Sequence, residues 1–276
     1  MKFRSLILSL LFILCSFKGQ AQSAFNVKVV GTGSPILLFP GFGCTGEVWQ
    51  GITGELSKHY ECHIFTFAGF GDVPPIGRPW LSTIKEAVIQ YVNSHKIRSA
   101  TIIGHSLGGT LGLWLAETEP TMFKKIIVVD ALPCTGALMM PNFKPENIGY
   151  DNPYNQRIRE MDSTTFREMA KQQVAYMMLN KEKRSKVVEW FLEADRSTYV
   201  DGYVDLLKLD LRNALIKIPV VILAATYPNK AVIEKNYNEQ YANVNEKTIY
   251  YADNAAHFIM YDQPEWFLSK ITESLK

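Results

Sequence analysis

One hexapeptide constrains this chain more than any other stretch: Gly104-His105-Ser106-Leu107-Gly108-Gly109. The β-branched run Ser99-Ala100-Thr101-Ile102-Ile103 leads into it, and the apolar helical run Thr110 to Ala116 leads out. A serine between glycines at such a junction has a mechanical reading. The strand must turn sharply into the helix, which lifts the Ser106 side chain above the sheet edge in a strained backbone conformation. Gly104 and Gly108 lack the Cβ that would hold strand and helix apart. The helix N-terminus then lies beneath the hydroxyl, where its free N–H groups favour developing negative charge. The bland alternative is a glycine-rich turn with no chemistry. The flanking strand, the flanking helix and a histidine far downstream tell against it.

The rest of the chain reads as strands alternating with helices. Pro35-Ile36-Leu37-Leu38-Phe39-Pro40 and Cys62-His63-Ile64-Phe65-Thr66-Phe67 are continuous apolar runs that suit strands covered on both faces. Lys125 to Asp130, Ile218 to Ala224 and Thr248 to Ala252 add three more, and Val27 to Val30 reads as an edge strand. Between them a helix over Leu81–Ser94 places Ile84, Val88 and Tyr91 on one face. A further helix covers Lys230–Tyr241, and a terminal one starts at Asp262-Gln263-Pro264-Glu265, with Asp262 as cap and Pro264 in the first turn. Such alternation predicts a parallel sheet with sites at the carboxyl ends of its strands. The glycine clusters Gly41-Phe42-Gly43-Cys44-Thr45-Gly46 and Ala68-Gly69-Phe70-Gly71 both fall there.

From Leu132 to Leu215 the pattern changes. Pro133 to Pro153 reads as loop, followed by amphipathic helices near Ser163–Met178, Lys181–Asp195 and Ser197–Lys208. Thr164, Thr165 and Asn180 are the expected helix starts. With no strand signal in this stretch, the expected organisation is a core over residues 22–131 and 216–276 with a helical lid, 132–215, inserted between its halves. Most apolar side chains of the lid should form its own core, and a minority should face a pocket.

A serine hydroxyl needs a base near neutral pH. His59, His63 and His95 sit on or beside early elements and read as structural, and His105 should point to the opposite side of the strand from Ser106. His257 stands alone on the loop Asp253-Asn254-Ala255-Ala256-His257-Phe258 after the last strand, at the edge where Ser106 emerges. It is the expected base.

On these residues the chain resembles the α/β-hydrolase fold superfamily from about Pro35 to its end. The elbow, the Pro40-Gly41-Phe42-Gly43 loop and His257-Phe258 followed by Asp262-Gln263-Pro264-Glu265 are similar to that family's motifs. The resemblance implies a mostly parallel central sheet flanked by helices, with a helical cap after the strand ending at Asp130. It also implies an oxyanion hole made by the backbone N–H groups of Phe42 and Leu107. The triad acid departs from the family's usual pattern. No Asp or Glu lies between Val220 and Ile233, and Asn229 sits near the expected place. Some members carry the acid one strand after the nucleophile, where this chain has Asp130. Asp130 as acid, Asp130 as a cap of the lid's first turn, and no acid at all remain distinct readings.

The expected activity is serine hydrolysis of an ester-like bond in a small or medium substrate, with Ser106 as nucleophile, and no metal or organic cofactor. Ser106 argues against the aspartate-nucleophile chemistries of this fold. Lactone, amide and carbon–carbon hydrolysis share fold and triad, as would a receptor that keeps the fold with negligible turnover. The net charge of +2 and the lack of a basic block interleaved with aromatics exclude a nucleic-acid partner as an expectation. Lys2 and Arg4, the apolar run Leu6 to Phe17 and Gly19-Gln20-Ala21 read as a signal peptide over residues 1–21, hence export to a periplasm or the outside, with no stable membrane insertion. Cys44, Cys62 and Cys134 would then remain, an odd number that reads as buried thiols, with one disulfide as the alternative.

Overall fold

Seven strands hydrogen-bond into one sheet in the order β1-β3-β2-β4-β5-β6-β7. They are β1 (Phe25–Val30), β2 (Ser34–Phe39), β3 (Tyr60–Phe67), β4 (Ala100–His105), β5 (Phe123–Val129), β6 (Val220–Ala225) and β7 (Lys247–Ala252). Only β1 is antiparallel, to β3; all other neighbours are parallel. The computed structural model describes residues 23–140 and 142–276, so the expected signal peptide lies outside the described residues. No described helix is long and apolar enough to cross a membrane.

The sequence explains the order of burial. Every residue of β4 is buried, and so are the last four of β5, as continuous β-branched runs under two layers of helix require. At the edge, β1 has no buried residue; Phe25, Val27 and Val30 are half-buried and Asn26, Lys28 and Val29 exposed. The chain passes from β2 outward to β3, then back across to β4. That reversal leaves a crevice at the carboxyl ends of β2 and β4.

Helices α1 (Gln50–Leu56), α2 (Trp80–Ser94) and α3 (Leu107–Thr118) fill the first crossovers. Between β5 and β6 lie α4 (Thr135–Met139), α5 (Pro153–Glu160), α6 (Ser163–Met177), α7 (Arg184–Glu193) and α8 (Arg196–Lys208). The last part carries α9 (Lys230–Gln240), α10 (Ile259–Asp262) and α11 (Pro264–Leu275). Helix α3 runs close beneath β4 and β2. A Cβ added at Gly104 would stand 2.2 Å from the Gly108 carbonyl oxygen, and one at Gly108 would stand 2.3 Å from that of Phe39.

Three expectations need correction. The stretch Pro133 to Pro153 is not all loop, since it holds α4, and α5 begins at Pro153. Asn152 caps α5 by accepting from the Asn155 N–H, and Pro153 occupies a first-turn position where no N–H is needed. Thr164 and Thr165 do not start α6; Asp162 does, accepting from both of their N–H groups. Asp262 does not cap the terminal helix. Its carboxylate accepts instead from the N–H groups of Leu179, Asn180 and Ala256. Asn180 does begin a helical turn, accepting from Glu182 N–H, and α7 follows at Arg184.

The β5–β6 helices are fastened to the sheet layers at several points. Arg78, just before α2, donates to Asp201 and Asp151, and Asp205 on α8 accepts from the Leu81 N–H at 2.9 Å. Asp195 N–H donates to the Gly69 carbonyl at 2.8 Å. Cys44, Cys62 and Cys134 are buried free thiols.

The contact at Gly108 yields a contrast between two glycines. Gly108→Ala should lose about 1–3 kcal/mol or more of unfolding free energy, because the neighbour it meets is backbone. Gly54→Ala, where an added Cβ meets nothing within 4 Å in α1, should gain about 0.5–1 kcal/mol. Denaturant unfolding of the two variants checks both signs.

Candidate active site

Ser106 joins β4 to α3 with φ 51° and ψ −121°, a left-handed conformation that a non-glycine residue holds only when its surroundings enforce it. They do so from both sides. The Ser106 N–H donates to the Val129 carbonyl at 2.9 Å, and its own carbonyl accepts from Gly109 N–H at 2.8 Å and Thr110 N–H at 3.1 Å. The side chain lines a cleft of about 780 Å³ at the carboxyl edge of the sheet.

Asp130 follows β5 directly, with φ 43°, and its N–H donates to the Leu223 carbonyl at 2.8 Å. One carboxylate oxygen accepts from Ala225 N–H and from the Tyr237 hydroxyl, both at 2.8 Å. The other lies 2.7 Å from His257 Nδ1. These partners come from β6, α9 and the loop after β7, so Asp130 does not cap the first turn after β5. Asn229, near the family's usual acid position, caps α9 through Val232 N–H.

Burial alone would raise the Asp130 carboxyl. The hydrogen bond and charge of His257, with the Ala225 and Tyr237 donors, outweigh it and hold the group below the usual carboxylate range. Burial and the Asp130 charge push Tyr237 well above its ordinary value, so it stays a donor. An ionised carboxylate only accepts, so His257 Nδ1 carries a proton and Nε2 is the nitrogen left to accept one. Ser106, Asp130 and His257 line the same cleft.

The backbone donors expected from the resemblance are those of Phe42 and Leu107. Phe42 lines the cleft on the loop after β2. Leu107 is the first residue of α3, so its N–H has no acceptor inside the helix. Its side chain is buried in the core, leaving only the backbone to take part.

His105 does not lie away from Ser106 as expected. It lines the same cleft, its ring centroid 4.6 Å from that of His257. Two-residue alternation needs extended backbone, and Ser106 leaves that conformation. His105 Nε2 stands 3.0 Å from the His257 carbonyl, which can only accept, so Nε2 carries the proton. Burial first, then the neighbouring His257, push His105 down to about 3, so the ring is neutral. The His257 loop is held further by Asp262 at Ala256 and by Phe258 N–H donating to the Met177 carbonyl at 3.2 Å. Sequence reasoning missed His105, Tyr237 and Asp262 as supports. Only His105 had a signal, its place beside Ser106.

A sequence model of the alpha/beta hydrolase family matches residues 36–270. The chain belongs to the alpha/beta hydrolase family. Among its relatives, a pimeloyl-[acyl-carrier protein] methyl ester esterase of Aeromonas salmonicida (strain A449) is 32% identical over 114 residues, 40% of this chain and 42% of that protein. The corresponding esterase of Aliivibrio fischeri (strain MJ11) is 32% identical over 107 residues, 39% of this chain and 40% of that protein. The chain thus matches about two-fifths of the length of these curated relatives. A hydrolase from Pseudomonas aeruginosa PA01 superposes with TM-score 0.77 at 16% identity, covering 91% of this chain and 94% of its own. The enol-lactonase from Burkholderia xenovorans LB400 gives 0.75 at 17%, covering 91% and 96%. Both likenesses are of fold, and they agree with the mostly parallel sheet of this alpha/beta hydrolase.

The Asp130 environment fixes the sign of one pH effect. A carboxyl held low in the folded state adds stability above its unfolded value, and that stability is lost as pH falls through the folded value. Asp130→Asn should therefore show a flatter decline in unfolding free energy than wild type between about pH 5 and pH 2. Denaturant titrations across that range read it; equal slopes would mean that Asp130 titrates alike in both states.

Proposed function

We propose that this alpha/beta hydrolase is an exported serine hydrolase that cleaves an ester-like bond through an acyl-enzyme on Ser106. The observation that carries the reading is the Asp130–His257 contact at 2.7 Å within the cleft that Ser106 lines. The Ser106 hydroxyl oxygen attacks the substrate carbonyl carbon while its proton passes to His257 Nε2. Asp130 keeps the imidazole in the accepting tautomer and stabilises the imidazolium. The carbonyl electrons move onto the oxygen, which Phe42 N–H and Leu107 N–H receive, two donors worth about 10²–10³ in rate each. Collapse breaks the bond to the leaving alcohol, which takes the proton back from His257. Water then attacks the acyl carbon, gives its proton to His257 and releases the acid, and the proton returns to Ser106.

In this reading the helices between β5 and β6 act as a lid. Thr135, Gln173, Phe191 and Tyr203 from those helices line the cleft. Export rests on the charged start, the short apolar run and Gly19-Gln20-Ala21 in residues outside the described part.

A fluorophosphonate should label wild-type protein at Ser106, located by mass spectrometry of the adduct. With a short p-nitrophenyl ester, Ser106→Ala should lose turnover and Asp130→Asn should lose about 10⁴ in kcat. A folded Asp130→Asn protein with near-wild-type turnover would return Asp130 to a purely structural role. N-terminal sequencing of exported protein should begin at Gln22; an intact Met1 contradicts the export reading.

A further inference from the structure

We infer that the substrate is an uncharged, lipophilic ester whose apolar part lies across the mouth of the cleft as well as inside it. The inference rests on the hydrolase reading above and narrows its substrate.

The charges set the first limit. Among the residues lining the cleft, no Lys, Arg or Glu occurs, and Asp130 is the only carboxylate. Asp130 is committed to His257, Ala225 and Tyr237, so it offers no free oxygen to a cationic ligand. His105, the second histidine of the cleft, is neutral. Of the two lysines next in sequence to lining residues, Lys230 is turned to Asp253 at 2.9 Å and Lys235 lies 3.9 Å from Glu239. A carboxylate or ammonium group entering here would lose its hydration and gain no partner of opposite charge.

The mouth sets the second. Eight large hydrophobic side chains among the described residues are exposed, and five of them line this one cleft: Leu138, Met139, Tyr176, Tyr227 and Val232, between 45% and 66% accessible. Single exposed apolar residues are ordinary on a protein surface, but a concentration around one opening is not. Leu138 and Met139 belong to α4, Tyr176 to α6, and Tyr227 and Val232 to the segment from β6 into α9. The collar therefore comes from three separate segments of the chain. A ligand short enough to vanish into the interior would leave these side chains in water. One with an alkyl or aryl group reaching the mouth would cover them, and each methylene so buried adds binding.

The test uses purified full-length protein and two series of p-nitrophenyl esters: straight-chain alkanoates, and chains of matched length ending in a carboxylate. The neutral series should gain about twofold to fourfold in kcat/KM per added methylene beyond butanoate, until the collar is covered. Each carboxylate ester should fall at least about 100-fold below its neutral counterpart. Leu138→Arg and Val232→Lys, at exposed positions where folding is not at stake, should flatten the neutral series and raise kcat/KM for the carboxylate esters. A flat chain-length response in wild type, or equal turnover of the two series, overturns the inference. So does turnover that appears only above the critical micelle concentration, which would assign the collar to a lipid surface. A Ser106 fluorophosphonate adduct separates the two levels. With the adduct formed, those results overturn the substrate class alone; without it in folded protein, the hydrolase reading fails and the substrate class with it.

Discussion

Helix α3 can pass beneath β4 and β2 only because backbone meets backbone there, with no side chain between. The missing Cβ atoms of Gly104 and Gly108 set that distance, and the distance sets the conformation of Ser106. If α3 stood an ångström or two further out, the turn could relax into an ordinary strand-to-helix connection. The serine would then leave the sheet edge, and the N-terminus of α3 would no longer underlie it. The rest of the site assumes this geometry. The loop after β2, the acid after β5 and the histidine after β7 all converge on one point at the carboxyl edge.

The second layer of the arrangement is electrostatic. Asp130 is a half-buried carboxylate with three donors from three separate elements, the pattern in which a carboxylate stays ionised out of water. With Asp130 fixed in charge, the tautomer of His257 is fixed as well. His105 adds a neutral donor behind the ring and no competing charge. A second protonated imidazole at 4.6 Å would oppose the imidazolium of the proposed mechanism, and burial prevents it.

Sequence made the sheet, the elbow and the placement of Asp130 and His257 readable, because each depends on local pattern. Apolar runs mark covered strands, and glycine spacing marks close approach. An acid at a strand's carboxyl end is placed by the strand itself. What sequence hid was set by distant packing. Tyr237 stands 107 residues from the carboxylate it supports, and nothing in helix α9 advertises that contact. Asp262 looked like a helix cap because it precedes Gln263-Pro264, yet its donors come from the α6–α7 junction. Helix α5 was masked by Asn152-Pro153, a pair that reads equally as a turn and as a helix start.

Asp262 has one more consequence. A single side chain clasps the backbone just beyond α6 and the backbone just before His257, and the Phe258–Met177 bond lies alongside. The end of α6 and the imidazole are thus mounted on one bracket. Any swing of α6 that carried Met177 off the cleft would have to strip two N–H groups from Asp262 or drag His257 with it. For this corner of the molecule, opening the cleft and displacing His257 are the same movement.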